Sequence, residues 1–190
     1  MKLLEEKILK DGKVLGGDVL KVDSFLNHQL DVAFLSKLGQ DIFHHFDGRG
    51  VSKILTVEAS GIALACMTAQ YFGCPVLCAK KHKSINISND VYFSKVYSFT
   101  HKTENLIMVS KEYLNAGDKI LIVDDFLAGG NACVGLIDIV RQAGAEVVGI
   151  STGVEKTYQG GYQKLTDMGY EVYSLARIAE MKDGKITFEK

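Results

Sequence analysis

Apolar residues in the first fifty positions follow a helical spacing, interrupted by one short strand-like run. Residues 2–10 carry leucines and isoleucine at intervals that predict a helix ending at Gly12. The run 18-DVLKV-22 resembles a short strand, and Asp31 then stands where a helix N-cap is expected. The helix that it would cap has an apolar face made of Val32, Phe34, Leu35, Leu38, Ile42 and Phe46.

From residue 53 onward, short apolar runs alternate with helical patterns. Strands are predicted at 53–57, 75–79, 106–110, 119–123, 146–154 and 170–178, with a small terminal piece at 185–189. Helices are predicted at 62–72, 131–143 and 160–169. The polar, basic stretch 80–105 predicts a long loop with β-hairpin character. This alternation predicts an α/β fold whose central, mostly parallel sheet is flanked by helices on both faces.

Composition fits one domain, residues 1–190, with an α/β core over 51–180 and N-terminal helices over 1–50. The net charge of −1 gives no global case for binding nucleic acid or a membrane. No apolar run has the length of a transmembrane helix, and the charged N-terminal residues are unlike a signal peptide. Cys66, Cys74, Cys78 and Cys133 form no CxxC pair, which predicts buried free thiols and a reducing, cytoplasmic setting.

The most informative stretch is 120-ILIVDDFLAGGNA-132. Asp124 and Asp125 follow an apolar strand, and vicinal hydroxyls of a sugar are one ligand that such a carboxylate pair would accept. The alternative is that one aspartate caps the next helix and the other is solvated. The small residues 128–132 come next, and Gly129 and Gly130 would let an anion approach the backbone at the start of a helix. Together these features predict a site for a phosphorylated sugar at the carboxyl edge of the sheet.

Three further features would lie at the same edge. The turn 58-EASG-61 precedes a helix and suits a second phosphate group, although Ser60 could simply cap that helix. The run 80-KKHK-83 is either a solvated face or a clamp for pyrophosphate, with the polar stretch after it serving as a lid. Lys156 follows a predicted strand and is either solvated or a donor to a ligand carbonyl.

These residues resemble the motif with which type I phosphoribosyltransferases bind phosphoribosyl pyrophosphate (PRPP). The segments 20–31, 79–84, 96–100, 123–132 and 174–178 are similar to the bacterial members of that family that use xanthine. The resemblance implies the type I fold, with a small hood built from N- and C-terminal segments and a flexible loop over 80–105. It also implies purine salvage, in which xanthine and PRPP give xanthosine 5′-monophosphate and pyrophosphate, and a homodimer as the assembly.

The resemblance assigns roles by position. Ala128, Gly129, Gly130, Asn131 and Ala132 would hold the 5′-phosphate, while Asp124 and Asp125 would contact the ribose hydroxyls and act in catalysis. Pyrophosphate, which carries Mg²⁺ so that no protein metal site is implied, would meet Glu58, Ala59, Ser60, Gly61 and Lys81. The base would contact Leu20, Asn27 and Lys156, and Phe126 would either pack against the purine or belong to the core.

One departure and several alternatives accompany the resemblance. Gly129 and Ala132 stand where many relatives have hydroxyl side chains, so the loop would work mainly through its backbone and Asn131. A guanine, hypoxanthine or adenine enzyme is the first alternative. A PRPP-sensing regulator without catalysis is the second, although no basic helix-turn-helix pattern precedes the core. A Rossmann module is a third alternative, but it lacks GxGxxG after a strand.

Overall fold

The computed structural model describes residues 1–16, 19–81, 90–98 and 103–189 of the 190-residue chain. Its helices are α1 Lys2–Asp11, α2 Val32–Phe46, α3 Gly61–Phe72, α4 Asn131–Gln142 and α5 Gly161–Asp167. Its strands are β1 Lys13–Leu15, β2 Val19–Lys21, β3 Lys53–Val57, β4 Val76–Ala79, β5 Val91–Ser98, β6 Thr103–Ser110, β7 Lys119–Leu127, β8 Glu146–Lys156, β9 Val172–Lys182 and β10 Lys185–Phe188. Asp31 caps α2 as predicted, since its carboxylate accepts from the backbone N–H of Phe34.

Six strands form the central sheet in the order β10-β9-β8-β7-β3-β4. All neighbours pair in parallel except β10, which pairs antiparallel with β9 at one edge. Along β7, Leu121 and Val123 pack into the cluster beneath α2 and α3, whereas Ile120 and Ile122 pack into the cluster beneath α4. The predicted α/β architecture, a mostly parallel sheet covered on both faces, is confirmed.

The strand predicted at 106–110 does not extend the parallel sheet. It is the end of β6, which pairs antiparallel with β5 along its full length in a separate two-stranded sheet. Within the stretch 80–105, residues 91–98 and 103–105 belong to these paired strands, which agrees with the predicted β-hairpin character. Cross-strand pairing satisfies the backbone of these alternating residues. A single bridge between Lys80 and Met108 joins this hairpin to the central sheet.

The terminal segments pack against one another. Leu4 and Ile8 of α1 are fully buried, in the same cluster as Leu175 and Ile178 of β9. A two-stranded sheet, β1 with β2, and a π-helical turn at Asp23–Asn27 lie between α1 and α2 and add Leu20, Phe25 and Leu26 to that cluster. The N-terminal and C-terminal segments thus form one packed unit, as the predicted hood requires.

All four cysteines are free thiols, as predicted, but they are not all buried. Cys133 is buried, Cys74 and Cys78 are half-buried, and Cys66 on α3 is exposed. Apolar residues occur on almost every side of α3, so the sequence pattern does not show that Cys66 lies on an exposed side of the helix. Among the described residues, no helix has the length and apolar character needed to span a membrane.

Candidate active site

The two adjacent aspartates lie inside a strand rather than beyond its end. The apolar run 119–123 predicted a strand that stops before them, but β7 continues through Asp124 and Asp125 to Leu127. Parallel pairing with β8, from Lys119 to Leu127, carries the strand past the carboxylates. Both aspartates are buried in consequence, with 6% and 7% of their surface exposed. Water does little to relieve the repulsion between such closely spaced carboxylates.

Asp124 shows the electrostatic result of this placement. Burial, and then repulsion from Asp125, raises the pKa of Asp124 well above its usual range. The positive charge of Lys81 acts in the opposite direction, which places that lysine close enough to influence Asp124. The backbone N–H of Asp125 also donates to the Asp124 carboxylate at 3.0 Å. This buried pair of like charges is a favourable place for a ligand that brings a cation.

The small-residue segment 128–130 connects β7 to α4, and Asn131 begins the helix as predicted. Gly130 is the N-cap and has a φ of 75°, a left-handed conformation that favours glycine. Because the N-cap residue is Gly130, neither Asp124 nor Asp125 holds that position, and the alternative that one of them caps the helix does not hold. The first amide N–H groups of a helix lack intrahelical acceptors and, together with the helix dipole, they attract an anion.

Gly161, at the start of α5, fixes the shape of that loop. A Cβ placed on Gly161 would lie 2.2 Å from the carbonyl oxygen of Ala128 and 2.9 Å from the amide nitrogen of Gly130. Only a glycine allows the two segments to approach so closely. Gly161 was not among the predicted site residues, although the adjacent glycines Gly160 and Gly161 at the start of the predicted helix 160–169 were the available signal.

The turn 58–61 lies directly against the first aspartate. A Cβ on Gly61 would be 2.5 Å from Asp124 Oδ1 and 2.4 Å from the hydroxyl oxygen of Thr56. Gly61 is buried, whereas Ala59 and Ser60 are exposed at the same edge. Ser60 is the N-cap residue of α3, as the alternative expected, but its side chain makes no capping hydrogen bond. Both glycine turns follow parallel strands, β3 and β7, so they lie at the carboxyl edge of the sheet as predicted, with the turn 58–61 against Asp124.

Glu58 links this turn to the basic run that follows β4. Its carboxylate accepts from the backbone N–H of Lys81 at 2.7 Å and lies 3.1 Å from the ammonium of Lys80. Burial raises the pKa of Glu58, but these two partners outweigh it and the net pKa is lowered. Lys80 and Lys81 thus stand beside the turn and the aspartates. His82 and Lys83 of the same run lie outside the described residues, as do 84–89 and 99–102 of the predicted lid.

Lys156 and Phe126, two of the four residues predicted to contact the base, lie close together. Lys156 ends β8, and its ammonium lies 6.0 Å from the centroid of the Phe126 ring, in the range of a cation–π contact. Phe126 is half-buried and packs against the same cluster that contains Leu20. Asn27 is exposed at the end of the π-helical turn. The contact of Leu20 and Asn27 with a purine stays a prediction.

No nucleophile accompanies the carboxylates in the described part of the site. Burial, followed by the nearby Asp124 charge, raises the pKa of the Cys133 thiol, so this cysteine stays protonated. Within the described ranges, no three or more His, Cys, Asp and Glu side chains could together hold a metal ion. The arrangement can bind a diol, bind phosphates through two backbone turns, and stabilise positive charge near the aspartates.

Comparison with known proteins agrees with this geometry. Residues 21–173 match the model of the phosphoribosyl transferase domain family. The chain is 51% identical to the xanthine phosphoribosyltransferase of Clostridium novyi, over 100% of both chains. It is 52% identical to that of Ruminiclostridium cellulolyticum, over 99% of both.

Solved structures share the fold at much lower identity. The adenine phosphoribosyltransferase of Thermoanaerobacter pseudethanolicus gives a TM-score of 0.78 at 21% identity, covering 92% of this chain and 99% of its own. The enzyme of Giardia lamblia, complexed with 9-deazaadenine, gives 0.79 at 19% identity, covering 94% and 98%. At such identities the likeness concerns the fold alone.

Proposed function

The chain belongs to the phosphoribosyl transferase domain family, and from that premise we propose that it is a xanthine phosphoribosyltransferase of purine salvage. It transfers the 5-phosphoribosyl group of PRPP to xanthine and releases pyrophosphate. The contact of Gly61 with Asp124 carries the proposal, because it sets the turn 58–61 against a buried carboxylate pair whose strand leads directly into the segment 128–132. PRPP has a phosphate at each end and a diol between them. The choice of xanthine is supported by the full-length relatives that bear that name.

Each part of the site has a role in this reaction. The segment 128–132 holds the 5′-phosphate, and the turn 58–61 with Lys81 faces the pyrophosphate. As the bond from the anomeric carbon to pyrophosphate breaks, positive charge develops on the ribose, and Asp124 and Asp125 stabilise it. The purine nitrogen then attacks that carbon, so no protein nucleophile is required. A closed loop over 80–105 would exclude water, which otherwise hydrolyses PRPP.

Magnesium fits this site as a companion of the substrate. The family resemblance implies Mg²⁺. Asp124 and Asp125 suit it as a buried pair of adjacent carboxylates, in which burial and then repulsion from Asp125 raise the pKa of Asp124. These carboxylates are the protein groups that would lie near the ion, which the pyrophosphate of the substrate would carry. The ion supplies neutralisation of the charge that appears on pyrophosphate.

Lys156 gives a chemical reason for the class of base. An ammonium can only donate hydrogen bonds, so it pairs with the 6-oxo group of xanthine, guanine or hypoxanthine and offers nothing to the 6-amino group of adenine. The Asn27 amide can donate to the 2-oxo group of xanthine. It can also turn its oxygen towards the 2-amino group of guanine, so discrimination at that position is limited.

The test is pyrophosphate release from PRPP, with Mg²⁺, in parallel reactions with xanthine, guanine, hypoxanthine and adenine. We expect the highest kcat/KM with xanthine and negligible release with adenine. A higher kcat/KM with guanine or hypoxanthine would reassign the base. No release with any of the four would favour a PRPP-sensing regulator.

The assembly and the compartment belong to the proposal as well. We expect a homodimer because the family resemblance implies one, and light scattering coupled to gel filtration would measure its mass. A cytoplasmic location is supported by the four free cysteines, which suit a reducing compartment. A monomeric mass at micromolar concentration would contradict the dimer.

A further inference from the structure

Among the described residues, two buried side-chain polar atoms make no hydrogen bond, and one of them lies in the candidate active site. They are the hydroxyl oxygen of Thr56 and one carboxylate oxygen of Glu155. Nearly all buried polar groups in folded proteins are paired, so an unpaired one calls for a physical explanation. The surroundings of Thr56 supply one.

Thr56 is a polar residue in the buried part of β3. It is fully buried itself, and its neighbours Leu55 and Val57 are buried hydrophobic residues. Valine has nearly the same shape, suits a strand equally well and has no hydroxyl to remove from water. An unpaired hydroxyl at this position therefore costs the fold stability.

The hydroxyl of Thr56 lies beside the carboxylate of Asp124. The position that a Cβ of Gly61 would take is 2.4 Å from Thr56 Oγ1 and 2.5 Å from Asp124 Oδ1. The two oxygens are therefore separated by no more than the sum of these distances. Because position 61 is a glycine, no side chain comes between them.

Asp124 needs hydrogen-bond donors when it acts on the ribose. In the proposed reaction its carboxylate is ionised, whereas burial and the neighbouring Asp125 oppose that form. An ionised carboxylate accepts several hydrogen bonds, and the backbone N–H of Asp125 provides one at 3.0 Å. A threonine hydroxyl can rotate to provide another, and hydrogen bonds at an active site often shorten only when the substrate is bound.

We propose that Thr56 is a positioning residue for Asp124, and that its hydroxyl donates to the Asp124 carboxylate when PRPP is bound against the turn 58–61. The contact fixes the orientation of the carboxylate and stabilises its negative charge as positive charge develops on the ribose. Thr56 is fully buried, so it acts through Asp124 and not on the substrate itself. This inference rests on the proposed function, because it takes Asp124 as a group that stabilises that charge.

The test compares turnover with stability for two substitutions at this one position. Thr56→Val keeps the shape and removes the hydroxyl. We expect kcat for pyrophosphate release with xanthine to fall by about three- to tenfold, the effect of one hydrogen bond, while KM for PRPP stays within about twofold. Without ligand, the variant should melt about 2–4 °C above the wild type, because the unpaired hydroxyl is gone.

Thr56→Ser keeps the hydroxyl and removes a buried methyl group. It should melt below the wild type, because the lost methyl leaves a small cavity, yet its kcat should stay within about twofold of the wild-type value. The more stable variant is then the slower enzyme and the less stable variant the faster one. A purely structural role of Thr56 cannot produce that opposite order.

Two controls separate this role from a general effect of removing a hydroxyl. Thr68→Val in α3 removes a buried hydroxyl that donates to the carbonyl oxygen of Leu64 at 2.9 Å, and it should leave kcat unchanged. In an Asp124→Asn background, Thr56→Val should lower kcat little further, because the residue through which Thr56 acts has lost its charge.

Three results would overturn the inference. The first is wild-type kcat in Thr56→Val, and the second is a serine variant no more active than the valine variant. The third is a valine variant that is less stable than the wild type, since the hydroxyl would then have a partner without ligand. None of these results would affect the proposed function, which depends on transfer to xanthine by the wild type. A wild type that releases no pyrophosphate with any purine would overturn both.

Discussion

Asp125 differs from Asp124 in what surrounds it, although the two are adjacent in β7. The turn at Gly61 rests on Asp124, whereas Gly153 of β8 packs against the backbone carbonyl of Asp125. Asp124 therefore lies against the turn 58–61, which we propose binds pyrophosphate, and burial disfavours its charged form. We assign to Asp125 the larger part in stabilising positive charge on the ribose.

We predict that Asp125→Asn lowers kcat by about ten- to a hundredfold while changing PRPP affinity much less. Asparagine keeps the size and one acceptor oxygen but removes the charge, and preorganised charge acts mainly on the transition state. Steady-state kinetics and equilibrium PRPP binding measure the two effects separately. Asp138→Asn, on the exposed side of α4, is the control. Equal losses of turnover and affinity would refute the charge-stabilising role.

We propose that the choice of base depends on Lys156. We predict that Lys156→Ala raises KM for xanthine by about tenfold, since a buried carbonyl left without its donor costs roughly 1–3 kcal/mol. PRPP affinity should be nearly unchanged. Lys156→Met preserves the aliphatic packing over Phe126 and should show the same loss as alanine. If methionine restores the wild-type KM, Lys156 acts by packing and its assignment as a donor is wrong.

At the scale of elements, the segment 128–130, which we propose binds the 5′-phosphate, is shaped by helix α5 from a later part of the sequence. We predict that Gly161→Ala weakens ribose 5-phosphate binding by tenfold or more (about 1.4 kcal/mol) and destabilises the fold by about 1–3 kcal/mol. Its Cβ would meet the backbone of Ala128 and Gly130 at distances that neither can accommodate. Calorimetric binding and thermal unfolding measure the two effects.

Gly16→Ala is the matched control, because a Cβ there meets nothing within 4 Å. It should leave both binding and stability close to those of the wild type. Wild-type affinity in Gly161→Ala would mean that α5 does not set the shape of the loop.

The elements that sequence predicted well are those with a strong local signal. Helices α2 and α4 and the core strands follow from hydrophobic period and caps. The placement of both glycine turns at the carboxyl edge of the sheet follows from the rule that parallel strands end at one edge. The extension of β7 through Asp124 and Asp125 could not be predicted, because pairing with β8 overrides the polarity of its own residues. The same holds for Gly161, which reaches the site only through tertiary packing.

At the scale of the whole molecule, β7 joins two ends of the sheet with opposite electrostatic properties. Asp118 precedes the strand and accepts from the Lys53 ammonium at 2.6 Å and the Asn115 backbone N–H at 2.8 Å. Burial raises the pKa of Asp118, but these partners outweigh it and the net pKa is lowered. Asp124 lies towards the other end of β7, and its pKa is raised. Asp118 should therefore stabilise the fold, whereas Asp124 should destabilise it because its position serves the functional site.

We predict that Asp118→Asn destabilises the protein at neutral pH by about 1–3 kcal/mol without changing kcat. A carboxyl whose folded pKa is lowered contributes its stability above the ordinary value of 3.8, and loses it as pH falls through the lower folded value. The loss of stability in Asp118→Asn, relative to the wild type, should therefore become smaller at acidic pH. Thermal unfolding as a function of pH measures it, and a deficit that does not depend on pH would contradict the ion pair as its source.

We predict the opposite sign for Asp124→Asn in the absence of ligand. The pKa of Asp124 is raised in the folded protein. Below pH 3.8, the ordinary pKa of the group, the carboxyl is protonated in both states and does not affect stability. As the pH rises from 3.8 through the folded pKa, ionisation of Asp124 increasingly destabilises the fold. Asparagine resembles the protonated form and avoids that cost, so the variant should melt above the wild type at neutral pH. The difference should vanish towards pH 4. Each kcal/mol corresponds to about 2–4 °C in a chain of this size.

The same substitution should reduce kcat, since it removes a charge from the reacting ribose. If Asp124→Asn is more stable than the wild type but turns over more slowly, Asp124 serves catalysis and destabilises the fold. Magnesium pyrophosphate should reduce the difference in melting temperature between Asp124→Asn and the wild type, because a bound cation favours the ionised carboxylate of the wild type. A variant that melts below the wild type at neutral pH would show instead that the buried carboxylate is stabilised by partners other than Lys81.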